Sequence, residues 1–147
     1  MSLSQRITDE LKKAIKAKDV VRVSCLRMLK ADLKNREVEK GSDLEDREIE
    51  SLVSSLIRKG QEAAKEFRRG GRSDLVEKEE EEIRIFYEFL PEQLDSADIE
   101  KKIKDIISEL SATGLEDLGK VMKAAMTQMA GRVQGKEVNE IARKLLS

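Results

Sequence analysis

The chain has 147 residues, of which 39% are hydrophobic and 40% charged, with a net charge of -1 and no histidine. That length suits one domain or two small ones, and the apolar content builds a core only if the elements are amphipathic. No apolar run reaches the ~20 residues of a spanning helix, and the start Met1-Ser2-Leu3-Ser4 lacks the basic and apolar regions of a signal peptide, so a cytoplasmic location and no membrane partner are expected.

The first element predicted is a helix opened by Ser2 and Gln5 in a capping-box pattern, with Ile7, Leu11, Ala14 and Ile15 as its apolar face. Asp19 then caps a long basic helix through Val23, Leu26, Met28, Leu29 and Leu33, which Gly41 ends in a left-handed conformation. Ser42 and Glu45 repeat the capping box and open a third helix with Ile49, Leu52, Val53, Leu56, Ile57, Ala63, Ala64 and Phe67 at helical period. Gly60 shares that face. A glycine there costs about 1 kcal/mol relative to alanine, so a close helix approach is its expected reason. Gly70-Gly71 stops this helix. A fourth, capped by Asp74 with Glu77, carries Glu79 to Glu82 and the apolar group Ile83, Phe86, Tyr87 and Leu90 before Pro91 blocks it.

The segment from Pro91 to Ser96 is expected to be a linker, dividing an amino-terminal helical domain, residues 1-91, from a small carboxy-terminal domain, residues 92-147. Beyond it, Asp95 or Ser96 starts a fifth helix with Ile99, Ile103, Ile106, Ile107 and Leu110 inward, closed by Thr113-Gly114. A tail helix follows in which Leu118, Val121, Met122, Ala125 and Met129 form one face, while Lys120 and Lys123 fall off it. Gly119, in its first turn, leaves a helix end open to an anion such as phosphate. Gly131 and Gly135 bracket a turn into a last helix with Val138, Ile141, Ala142 and Leu145 inward. With no alternating strand pattern, the fold expected is all-α: a bundle or hairpin of about four helices, then a three-helix unit.

Little chemistry is available. Without histidine the commonest general base and transition-metal ligand are missing. Cys25, alone in an apolar stretch, reads as a buried structural thiol, and contiguous Glu79 to Glu82 scatter around a helix instead of converging on a metal. No P-loop pattern exists. No cofactor, metal or catalytic residue is therefore expected. Basic recognition remains. Residues 1 to 40 hold 11 bases against 6 acids, 41 to 117 hold 12 against 22, and 118 to 147 hold 6 against 2, which directs a polyanion to the ends. The candidate nucleic-acid-binding residues are Lys120, Lys123, Arg132, Lys136 and Arg143 in the tail, with Arg27 and Lys30 on the second helix, where Lys34 extends the stripe.

Several stretches together resemble the YqeY family, whose carboxy-terminal part is similar to the tail of the GatB subunit of the tRNA-dependent amidotransferase. They are Lys18-Asp19, Arg22, Leu26-Arg27-Met28-Leu29-Lys30-Ala31, Gly71-Arg72-Ser73-Asp74-Leu75, Tyr87 to Leu94, and the tail from Asp117 to Gly135. Where such sequences tend to carry a proline after the second tail methionine and an Asp-Gly or Asp-Pro pair after the later glycine, this chain has Thr127 and Lys136-Glu137. In GatB the helical tail engages the tRNA body and the chemistry lies elsewhere. The resemblance thus implies a free-standing tail that binds tRNA or a tRNA-aminoacylation-related complex. Two other readings compete: an adaptor taking a partner helix in an apolar groove at Met122, Met126 and Met129, and a tRNA amino-acid amidase related to carbon-nitrogen ligases, for which no nucleophile is identified.

Overall fold

A computed structural model describes all residues from Met1 to Ser147 as seven α-helices without a strand. They are α1 (Leu3–Lys16), α2 (Val20–Lys40), α3 (Asp46–Arg69), α4 (Ser73–Tyr87), α5 (Ser96–Leu110), α6 (Leu118–Gln128) and α7 (Gly135–Leu146), with a 3-10 turn at Leu115–Asp117. The all-α expectation holds. The chain divides into two compact units, Met1–Leu90 and Pro91–Ser147, each with its own apolar cluster.

In the first unit local chemistry sets the helix starts. Ser2 Oγ accepts from the N–H of Gln5 at 3.2 Å, and Asp19 Oδ1 accepts from the N–H of Arg22 at 3.2 Å, so two orphan donors are satisfied at the helix entries. Gly41 ends α2 at φ 82°. Ile7, Leu26, Leu29, Ile49, Val53, Ile57 and Phe89 fill the core. Gly60 does admit a neighbour: a Cβ there would lie 3.0 Å from Cγ1 of Ile83 on α4.

Two caps differ from the sequence reading. Helix α3 starts at Asp46, not after Ser42: the N–H of Glu45 donates to Glu48 Oε1 at 3.1 Å, Leu44 packs against the core, and Asp46 Oδ1 accepts from the N–H of Leu3 at 3.0 Å. Tertiary contacts thus place the chain entry three residues later. Likewise Asp74 does not cap α4, because its carboxylate pairs with Arg72 at 3.0 Å. Ile15 also departs from its expected inward position and is 47% exposed.

The second unit packs α5, α6 and α7 around Ile99, Ile103, Ile106, Val121, Ala125, Met129, Val138 and Ala142. Asp95 Oδ1 caps α5 by accepting from the N–H of Asp98 at 2.8 Å. The helix closes at Ser111, in the left-handed region at φ 53°, before Thr113-Gly114, and Leu110 is exposed. The segment expected to be a linker is built into this unit. Gln93 Nε2 donates to the carbonyls of Pro91 at 2.9 Å and Gly131 at 2.7 Å, and the N–H of Leu94 donates to the carbonyl of Arg132 at 2.9 Å. Backbone groups that would otherwise seek water are paired across the turn between α6 and α7.

Candidate nucleic-acid interface

The apolar stripe of α6 turns inward, with Val121, Ala125 and Met129 buried and Leu118, Met122 and Met126 packed against them. The groove imagined for an adaptor at these methionines is therefore core. The opposite side of the helix carries Lys120, Lys123 and Thr127, all exposed. Neither lysine forms a salt bridge or a side-chain hydrogen bond, while Thr127 Oγ1 donates to the carbonyl of Lys123 at 2.8 Å. Gly119 leaves open space beside the first turn, yet Glu116 and Asp117 stand at that end, and their negative charge competes with any phosphate there.

The other tail bases have varied surroundings. Arg132 Nε donates to the carbonyl of Glu92 at 3.1 Å, so this guanidinium also holds the chain entry against the α6–α7 turn. On α7, Lys136 and Arg143 are seven residues apart and share an exposed stripe, with Arg143 Nε donating to Asn139 Oδ1 at 2.8 Å. A cleft of about 490 Å³ is lined by Ser96, Glu100, Glu137, Glu140, Ile141, Lys144 and Leu145. Ser96 Oγ donates to Glu137 Oε1 at 2.6 Å. Three carboxylates make this cleft unfit for a polyanion, leaving the outer side of α6 as the basic surface least offset by acids.

Arg27 and Lys30 lie in the other unit, exposed on α2. The sequence reading missed what surrounds them: Ile15, Lys18, Val20, Val23 and Ser24 join Arg27 in lining a groove of about 440 Å³. Its signal was the exposed valine at the start of α2, masked because α2 is apolar on more than one side.

No three His, Cys, Asp or Glu side chains converge to hold an ion. Burial pushes the Cys25 thiol up to about 12, Glu82 adding to it, which keeps it protonated and unreactive. Glu82 itself is raised by burial first and by Glu79 next, whereas Glu80 pairs with Arg68 at 3.0 Å. The acidic run thus divides between inner and outer sides of α4, as its contiguity implied.

Two helical units, the second with a basic outer helix side and an acidic cleft, define a protein of all-α build in which exposed charge is the accessible chemistry. Residues 4–146 match the family described as Yqey-like protein, spanning both units, and the chain belongs to that family. Curated relatives named "Altered inheritance of mitochondria protein 41, mitochondrial" are similar to it. The protein from Lachancea thermotolerans is 38% identical over 69% of this chain and 56% of its own length. That from Kluyveromyces lactis is 30% identical over 71% and 58%, and that from Saccharomyces cerevisiae strain YJM789 is 26% identical over 88% and 69%. The match therefore spans less than two thirds of the first two relatives. Their names overturn the cytoplasmic expectation: these relatives are mitochondrial. That no helix is long and apolar enough to cross a membrane leaves the compartment undecided, which is why composition misled.

Proposed function

We propose that this protein binds folded RNA, tRNA foremost, through the outer side of α6 and the adjoining bases, either directly or as part of a tRNA-dependent amidotransferase-type complex. The observation that carries the reading is the pair Lys120 and Lys123, exposed, free of ion pairs and one helical turn apart. Such a pair meets successive phosphates without breaking any intramolecular contact, and Lys136 and Arg143 extend the basic surface on the neighbouring helix. The resemblance of this unit to the GatB tail, which engages the tRNA body, agrees with it. With aromatic content of 3%, stacking platforms are few, so recognition rests on shape and phosphate position instead of base identity.

The test is binding of purified protein to total tRNA across a salt series, with a duplex RNA of equal charge as control. The expected result is selective binding whose logarithm falls linearly with the logarithm of salt, with a slope of about 0.9 per phosphate contact. Lys120→Glu with Lys123→Glu should weaken tRNA binding at least tenfold and flatten the slope. Equal affinity for both RNAs, or no effect of the double charge reversal, would exclude this reading.

A further inference from the structure

Helix α2 has two faces that want company. Cys25, Leu26, Leu29 and Leu33 are buried in the first unit's core. On the diametrically opposite side lie Val20, Ser24, Ala31 and Val38, spaced by four, seven and seven residues and all exposed, Val20 at 78% and Val38 at 74%. Met28, 42% exposed, borders this stripe. It is about 27 Å long at 1.5 Å per residue, enough to seat five turns of another helix. At its amino-terminal end the stripe enters the groove of about 440 Å³ lined by Ile15, Lys18, Val20, Val23, Ser24 and Arg27. Lys18 is held at the corner in the left-handed region at φ 55°, its N–H donating to the carbonyl of Ile15 at 3.1 Å.

Bases are grouped along this surface. Lys12 precedes Ile15 by one turn, Lys16 adjoins it, and Lys30 and Lys34 continue from Arg27 along α2. Together with Lys18, these six bases are exposed and none forms a salt bridge or side-chain hydrogen bond. Elsewhere in the unit Arg22, Lys40, Arg68, Arg69 and Arg72 pair with carboxylates, whereas Arg47, Arg58 and Lys59 on α3 and Lys78 and Arg84 on α4 form no salt bridge either. What marks this surface is the grouping of its bases around an aliphatic groove. Aliphatic side chains in a concavity, edged by unpaired cations, complement a ridge of apolar residues flanked by carboxylates. We infer that this groove and the outer stripe of α2 dock an acidic amphipathic helix of a partner protein.

The alternatives fit less well. A second copy of the same face would set Arg27, Lys30 and Lys34 against like charges. RNA would engage the bases but gain nothing from Ile15, Val20 and Val38, and no aromatic ring lines the groove for stacking. Small side chains at Ser24 and Ala31 permit close approach of a helix, which neither a duplex nor a bilayer needs.

The test uses the full chain and a fluorescent 18-residue helical peptide with leucines on one face flanked by glutamates, beside a scrambled peptide of identical composition. Anisotropy gives affinity and amide NMR shifts give the site. Expected are binding of the patterned peptide over the scrambled one, shifts confined to residues of α1 and α2 around the groove, and at least tenfold weakening by Ile15→Ser with Val20→Ser. Both positions are exposed, and an unchanged melting curve checks the fold. Arg27→Glu with Lys30→Glu should weaken binding similarly. The proposal is overturned if the two peptides bind alike or not at all, or if shifts map elsewhere. It is overturned equally if the serine variants leave peptide binding intact, or if the groove responds only to tRNA or to phosphatidylglycerol vesicles.

Discussion

Arg22 grips Glu88 with both terminal nitrogens, at 2.7 and 3.2 Å, joining the start of α2 to the residue after α4 across 66 positions of sequence. The same guanidinium reaches Glu10 Oε2 on α1 at 3.0 Å, and Arg6 donates to the carbonyl of Glu88 while lying 5.1 Å above the ring of Phe89. The Lys18-Asp19 and Arg22 signature is thereby explained without reference to a ligand. Lys18 turns the chain, Asp19 caps α2, and Arg22 fastens three helices together.

Replacing this clamp should be costly because Arg22 is half-buried and charge-assisted hydrogen bonds exceed neutral ones. Arg22→Met is expected to lose about 2 kcal/mol in urea unfolding. The hydrogen bond from Arg22 holds the Glu10 carboxyl below its ordinary value of 4.5, against burial, which raises it. A depressed folded pKa means stability fully present above pH 4.5 and lost as pH falls through the folded value. The difference between wild type and Arg22→Met should therefore shrink on acidification below that point, which urea midpoints across pH would reveal.

Gly60→Val should destabilise the first unit by about 1–3 kcal/mol, since added methyls meet Ile83 at the α3–α4 crossing. Trimming the obstacle with Ile83→Ala should recover part of this loss, giving a measurable coupling energy in a double-mutant cycle.

Cys25 should resist a thiol-specific disulfide reagent at pH 8 in the native state and react at once in denaturant. Burial, which raises its pKa to about 12, also withholds the sulfur from solvent. Fast native labelling would mean that α2 opens locally.

Gln93→Leu should loosen the second unit by about 1–2 kcal/mol, because the carbonyl of Gly131 loses a side-chain donor. Ile103→Ala, which empties a fully buried position, should cost about 2–5 kcal/mol. Hydrogen exchange of α5 to α7 would report both, and an effect of Gln93→Leu as small as that of an exposed surface change would show the segment to be a passive linker.

Helix identity, and most of the inward positions, were legible because apolar periodicity and end signals such as Ser2, Asp19, Gly41 and Asp95 act within one or two turns. So were the buried role of Cys25 and the outward position of Lys120 and Lys123, which follow from 3.6-residue geometry alone. The capping of α3 by Glu45 and of α4 by Arg72 was not, because Leu44 and Asp46 answer to the core and Leu3, and Asp74 answers to Arg72. Ile15 and Met28 carry the composition of core residues, yet burial depends on where neighbouring helices lie. The pairing of Arg22 with Glu10 and Glu88, the fastening of Gln93 to Gly131, and the exposed stripe of α2 were all decided by tertiary structure. A local pattern specifies which face of a helix is apolar; which apolar faces find a partner, and which bases are left unpaired, depends on residues far away in the chain.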